Sequence, residues 1–101
     1  MESSWKAISD DSRRQILLLL KKKEMTPTEI AQHFKFSRPA VSSHLRILKN
    51  SDLIREKKIG KNRIYSLNTE KTYEMMKFFA SIWGHNLRSL KELLENEQKN
   101  E

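Results

Sequence analysis

The stretch that most constrains this chain is Thr26 to Lys49, TPTEIAQHFKFSRPAVSSHLRILK, where two short helix signals flank a three-residue joint. Thr26 and Glu29 have the spacing of a capping box: the threonine oxygen accepts from the backbone three residues on, and the glutamate reaches back. Pro27 then takes the first helical position, where a missing N–H costs nothing. The second helix starts at Ser37 or Arg38 and puts Val41, Leu45 and Leu48 on one stripe at helical spacing. Arg38, Ser42, Ser43, Arg46 and Lys49 occupy its other faces. Two capped helices joined this tightly predict a helix-turn-helix, a motif whose second helix reads DNA.

Upstream, Ser4 to Ile8 reads as a short helix with Trp5 and Ile8 on one face. Ser9 or Asp10 caps a second helix, with Asp10 and Asp11 at its positive end. Its run Ile16 to Leu20 is unbroken and apolar, and Lys21 to Lys23 suit a helix C-terminus, so a central buried helix is expected. Arg13 and Arg14, in its first turns, can reach phosphate or stand in solvent. Within the motif, Ile30 and Phe34 face the core, Ala31 allows close helix approach, and Phe36 anchors the turn. His33 has no second ligand at metal spacing and reads as a surface residue near a helix end.

After Lys49 come the polar break Asn50-Ser51-Asp52 and two strand signals, Leu53 to Ile59 and Arg63 to Leu67, joined across Gly60-Lys61-Asn62. The tip of this hairpin is basic, and its position directly after a reader helix makes it a wing. Wing cations contact phosphate or the minor groove, adding affinity and little sequence information. A last helix is expected over about Glu70 to Glu95, with Tyr73, Met76, Ala80, Trp83, Leu87, Leu90 and Leu94 at alternating steps of three and four. Phe78, Phe79, Ile82 and Leu93 widen its apolar surface beyond what one small domain can cover, which predicts a second subunit against it. Gly84 weakens this helix locally and leaves room for close helix approach.

The charge distribution agrees with such a division. The chain of 101 residues carries a formal +7; residues 1–69 hold 15 basic and 7 acidic side chains, residues 70–101 hold 5 and 6. A basic front and a near-neutral end fit one face for a polyanion and another for a different partner. The absence of cysteine excludes disulfides and thiolate metal sites. No apolar run approaches the roughly 20 residues that span a bilayer, and MESSWKAISD has no secretory pattern, so a cytoplasmic location is expected. No nucleophile–base pair, phosphate-cradling loop or flanked carboxylate pair is present, and His33, His44 and His85 are scattered; enzymatic activity is not expected.

Taken together, AISDDSRRQILLLL, TEIAQHFKFSRPAVSSHLRILKNSDLI and REKKIGKNRIYSL resemble the ArsR/SmtB family of winged-helix repressors. The resemblance covers about Trp5 to Leu67 by motif and the last helix by position and character; WKAISD…RRQIL is most similar to the SdpR-like autorepressor subgroup. Asp11 stands where the family often has proline. The resemblance implies a homodimer that blocks transcription from a pseudo-palindromic operator. It also carries information about metal. Metal-sensing members have an E-L-C-V-C-D-L box where this chain reads Glu24-Met25-Thr26-Pro27-Thr28-Glu29-Ile30, and threonine does not replace thiolate for soft metals. Other members bind zinc between their last helices through several histidines, where this chain offers His85 alone. No metal site and no cofactor are therefore expected.

The expected architecture is mainly α with a small β-hairpin wing, in the order α-α-α-α-β-β-α and homodimeric. One domain spans 1–95: N-terminal helices over 4–25, the helix-turn-helix over 26–49, the wing over 53–67 and a dimerisation helix over 70–95. Residues 96–101 form a frayed tail. The DNA-reading residues are Ser37, Arg38, Pro39, Ala40, Ser42, Ser43, His44, Arg46 and Lys49. Arg38 and Arg46 suit guanine, the serines suit bases or phosphates, and Pro39 or Ala40 suits a thymine methyl. His44 can reach DNA or hydrogen-bond within the motif. Lys57, Lys58, Gly60, Lys61, Asn62 and Arg63 form the wing contacts, and Trp5, Ile8, Tyr73, Met76, Phe79, Ala80, Trp83, Leu87, Leu90 and Leu94 the dimer interface. Two rivals stay open: a winged module that binds protein, and a repressor released by a small-molecule inducer. A protein anti-repressor is a further route of release.

Overall fold

The computed structural model describes residues 3–83, 92 and 94–96. The chain divides into two compact units, Met1–Thr69 and Glu70–Glu101. The first contains α1 (Ser4–Ala7), α2 (Asp11–Lys22), α3 (Pro27–His33), α4 (Arg38–Asn50), β1 (Ile54–Ile59) and β2 (Asn62–Leu67); α5 (Thr69–Trp83) leads into the second. This is the mainly helical, winged order that the sequence predicts.

Each helix of the first unit starts where its cap places it. Asp10 accepts from Arg13 N at 2.9 Å, which chiefly holds its carboxyl below the usual range. The capping box at α3 is complete: Glu29 N donates to Thr26 Oγ1 at 3.2 Å and Thr26 N to Glu29 Oε1 at 3.1 Å. Ser37 caps α4 by accepting from Ala40 N at 3.2 Å. These contacts satisfy backbone donors that the first helical turn leaves without partners.

The core is smaller and more selective than the apolar run in α2 implies. Ile16 and Leu20 are fully buried, four residues apart, whereas Leu18 on the opposite face is 64% exposed. The expected central buried helix is therefore amphipathic: one stripe is buried in the core, Leu17 and Leu19 are half-buried beside it, and Leu18 faces away. Ile30, Val41, Leu45, Leu48, Leu53, Ile54, Met25 and Tyr65 complete this core, with Ala7 as the buried residue of α1. Ile8, expected within that helix, is its C-cap and only half-buried. Phe34 and Phe36 are also half-buried and stack on each other with ring centroids 5.0 Å apart, so the turn is held by an aromatic pair at the edge of the core.

The exit from α4 is equally defined. Leu53 N donates to Leu48 O and Asp52 N to Lys49 O, both at 3.0 Å, while Asp52 takes the left-handed backbone at φ 63°. This is a Schellman cap with aspartate where glycine is usual, and its apolar pair is Leu48 with Leu53. β1 and β2 pair antiparallel from Ile54↔Leu67 to Ile59↔Asn62. The loop is thus the two residues Gly60-Lys61, and Asn62 belongs to the strand rather than to the expected three-residue connection. Gly60 at φ 61° in the first loop position fits a type II′ turn, whose twist matches that of the strands. Met25, in the joint between α2 and α3, exchanges both backbone hydrogen bonds with Tyr65 at 3.0 and 2.8 Å, a one-residue bridge that stands as a third strand along β2. A single apolar residue between polar neighbours gave no strand signal.

In the second unit, α5 displays Tyr73, Met76, Phe78, Phe79 and Ile82 as exposed side chains, and Met75 is buried. Lys77 Nζ lies 5.2 Å from the Tyr73 ring centroid, and Phe78 and Phe79 meet edge to face. Residues 92 and 94–96 are also helical. Leu87 and Leu90 of the expected interface, with Gly84, His85 and Leu93, lie outside the described residues, as does the Trp83 side chain. Among the described residues no helix is long and apolar enough to cross a membrane.

Candidate nucleic-acid interface

Because Val41, Leu45 and Leu48 take one side of α4 into the core, the polar residues between them are forced outward. Arg38, Ser42, Arg46 and Lys49 follow at steps of four, four and three, which aligns them along the helix. All four are exposed, with Ser37, Pro39 and Ser43; Ala40 is half-buried. Among the described residues Arg38 and Arg46 form no ion pair or side-chain hydrogen bond. A helix with an apolar back, two arginines and two serines exposed on its other faces can offer bidentate donors to guanine and single donors to phosphate.

His44 lies at the margin of this face. It is half-buried, its ring centroid 6.0 Å from that of Phe36, and its Nδ1 is buried and has no hydrogen-bond partner among the described residues. The internal hydrogen bond open to it in the sequence is not formed by that nitrogen.

In the wing, Lys57, Lys58, Gly60, Lys61, Asn62 and Arg63 are all exposed. Alternation along the strands separates the cations between two faces: Lys58 stands opposite Arg63, whereas Lys57 stands opposite Ile64. Lys58 and Arg63 share their face with Glu56 and Tyr65, the next cross-strand pair on that side toward the base.

Glu56 was not singled out by the sequence, yet it organises the junction of wing and α4. Its Oε2 accepts from Tyr65 Oη at 2.8 Å and from Lys49 Nζ at 3.2 Å, and Arg63 Nε lies 3.8 Å from Oε1. The glutamate side chain is 16% exposed, against 50% for Lys49 and 60% for Arg63. The Tyr65 hydrogen bond, followed by Lys49, holds the Glu56 carboxyl below its usual range; burial and this carboxylate push the Tyr65 hydroxyl up. The available signal was a lone acid within a basic hairpin, which composition alone treats as one subtracted charge.

Arg13 and Arg14 have a different task from either expected one. Arg13 Nε donates to Ala7 O at 2.7 Å and an Arg14 guanidinium nitrogen to Ile8 O at 2.8 Å. They satisfy the carbonyls at the end of α1, and Arg14 also pairs with Asp11 at 3.2 Å. Of the remaining expected interface residues, Trp5, Tyr73, Met76, Phe79 and Leu94 are exposed, whereas Ile8 and Ala80 are half-buried.

Comparison with known proteins gives consistent matches. The sequence profile of the bacterial regulatory protein, arsR family, matches residues 10–56. The transcriptional repressor SdpR of Bacillus subtilis is 49% identical over 69 residues, covering 68% of this chain and 77% of that protein. A crystal structure of a possible transcriptional regulator for arsenical resistance is 31% identical with a TM-score of 0.72, covering 90% of this chain and 92% of that one. The homodimeric winged helix-turn-helix DNA-binding domain Mb0332 of Mycobacterium bovis, solved in solution, has a TM-score of 0.65 at 24% identity, covering 78% and 73%. At that identity the likeness concerns the fold.

Proposed function

The chain belongs to the ArsR family of bacterial regulatory proteins, and from that premise we propose that it is a sequence-specific repressor of transcription that binds double-stranded DNA as a homodimer. The observation that carries this reading is the outward line Arg38, Ser42, Arg46 and Lys49 on a capped helix, beside a basic hairpin. α4 is the reader helix. Its arginines discriminate bases, and Lys57, Lys58, Lys61 and Arg63 of the wing supply affinity through phosphate. The exposed apolar side chains of α5 support a second copy as its partner, and a two-fold dimer fits an operator with related half-sites. A cytoplasmic location accords with that role.

Binding is independent of metal in this reading. Thr26 and Thr28 stand at the cysteine positions of the family's metal box, and the Thr26 hydroxyl is already engaged in capping α3. Release from the operator then falls to a protein anti-repressor, a small molecule or, under autorepression, dilution of the repressor. Selection of bound sequences from random duplex DNA, with and without zinc, tests the reading. The expected product is an imperfect inverted repeat with half-site centres about 34–36 Å apart and no response to zinc. Failure to enrich any sequence would remove the repressor assignment, and dissociation by zinc would remove metal independence.

A further inference from the structure

Glu56 is the only acidic residue between Asp52 and Glu70, in a segment otherwise rich in lysine and arginine. A carboxylate on a surface that binds polyanions opposes that binding, so its presence requires an account. Stability is a weak one. Its two cationic partners are half-exposed, and pairs of that kind add little to the stability of a fold because solvent screens them, although the same small energy shifts a binding equilibrium several-fold.

The geometry gives a better account. Tyr65 fixes the carboxylate from below: its ring is in the core, its backbone is bonded to Met25, and its hydroxyl meets Glu56 Oε2 at 2.8 Å. From this anchored position Glu56 meets one cation from the reader helix, Lys49, and one from the wing, Arg63. Elements already joined by the turn at Ser51-Asp52 and by the shared core at Leu48, Leu53 and Ile54 are thereby also tied through their charged side chains. Each cation has a restricted set of positions and a neighbouring negative charge that an arriving phosphate must displace or match.

We propose that Glu56 is a positioning and specificity-determining residue for DNA: it sets the wing against the reader helix and restrains Lys49 and Arg63 from binding phosphate indiscriminately. On a random duplex, phosphates seldom lie where the restrained cations point, and contact requires them to leave the carboxylate. On the operator, with the reader helix seated, phosphates lie where the cations already are. Glu56 therefore lowers random binding more than operator binding. This inference rests on the DNA-binding reading above.

The test compares Glu56→Gln with Asp52→Asn, each as the full chain, on the selected operator and on a random duplex of equal length across a salt series. Glutamine keeps an acceptor for Tyr65, whereas Asp52→Asn removes a neighbouring negative charge without touching the Lys49 or Arg63 contacts. For Glu56→Gln, random-duplex binding should strengthen about fivefold for each phosphate newly neutralised near 0.15 M salt, and the log–log salt slope should steepen by about 0.9 per phosphate. Operator affinity should rise less, so the ratio of operator to random binding falls; Asp52→Asn should leave that ratio unchanged. Equal shifts in the two variants, or an unchanged ratio in Glu56→Gln, would overturn the inference while leaving the repressor reading in place. Wild-type protein without salt-dependent duplex binding would overturn the repressor reading itself. Should melting show Glu56→Gln to be unfolded, Tyr65→Phe removes only the hydroxyl that fixes the carboxylate. Its ratio should fall in the same direction by a smaller factor, and an unchanged ratio there overturns the inference.

Discussion

Arg38 and Arg46 carry the same charge as Lys49 and Arg63, and all four belong to the first unit, yet their surroundings differ. Among the described residues the first two have no ion-pair partner, whereas the second two share Glu56. A count of basic residues treats the four as equivalent. Their physical chemistry does not: an unpaired guanidinium keeps its full set of donors for a base edge, while a cation beside a carboxylate must exchange one partner for another. In the proposed function, the helix assigned to base reading thus keeps Arg38 and Arg46 free among the described residues, and the junction assigned to affinity is restrained.

The largest expected effect breaks the comparison at its free half. Arg38→Ala and Arg46→Ala should each weaken operator binding by about 1–3 kcal/mol and relax preference at one base position of the half-site. Competition between the operator and single-base variants measures both quantities. Weakening that is uniform across all sequences would reassign that arginine to phosphate, and the division between reading and affinity residues would disappear.

At the restrained half, Lys61→Ala with Arg63→Ala should reduce the log–log salt slope by about 0.9 for every phosphate the wing no longer neutralises, with base preference retained. Lys61 lies at the hairpin tip, outside the Glu56 cluster, so the two single variants separate a tip cation from an anchored one. Lys61→Ala should lower the slope more than Arg63→Ala. An unaltered slope in the double variant would remove phosphate binding from the wing altogether.

The same carboxylate yields a pH dependence with a defined sign. The Glu56 carboxyl is held below its ordinary range when folded, so its stabilising contribution is present above the unfolded value and is lost as pH falls through the folded one. Asp10 and Glu29, lowered chiefly by the backbone hydrogen bonds of their caps, act in the same direction. Acid denaturation should therefore be less steep in Glu56→Gln than in wild type, with the caps still contributing. Urea midpoints across the acid range check this; identical slopes would remove Glu56 from the linkage.

Much of this surface was legible in the sequence because it follows from local rules. Thr26, Glu29 and Ser37 announce helix starts by spacing alone, and a stripe such as Val41, Leu45 and Leu48 fixes by elimination which residues of α4 face outward. What the sequence obscured depends on partners distant along the chain. The Glu56–Tyr65 contact requires the hairpin register, which the expected three-residue loop misplaced by one residue on the second strand. The Met25 bridge requires the hairpin to be in place already. Arg13 and Arg14 looked like surface cations because the carbonyls they satisfy belong to the end of a preceding helix. The run Ile16 to Leu20 misled for the opposite reason: five apolar residues in succession conceal a helical period that burial later reveals at Ile16 and Leu20.

The smallest effect sharpens the comparison by testing the joint between its halves. Asp52 sits at the left-handed position of the α4 cap, beside the helix's negative end, where both backbone and charge are unfavourable for aspartate. Asp52→Gly should raise stability by about 0.5–1 kcal/mol, tempered by the greater freedom of glycine in the unfolded chain. Asp52→Ala removes the same charge but adds the steric conflict of a Cβ, and should fall about 1 kcal/mol below the glycine variant. Both remove one negative charge near the interface, so both should strengthen operator and random binding alike. Urea unfolding measures the first difference and paired duplex titrations the second. If the alanine variant instead changed the ratio of operator to random binding while the glycine variant did not, the backbone at Asp52 would join Glu56 in setting the wing against the reader helix. The restraint would then belong to the turn as well as to the charges.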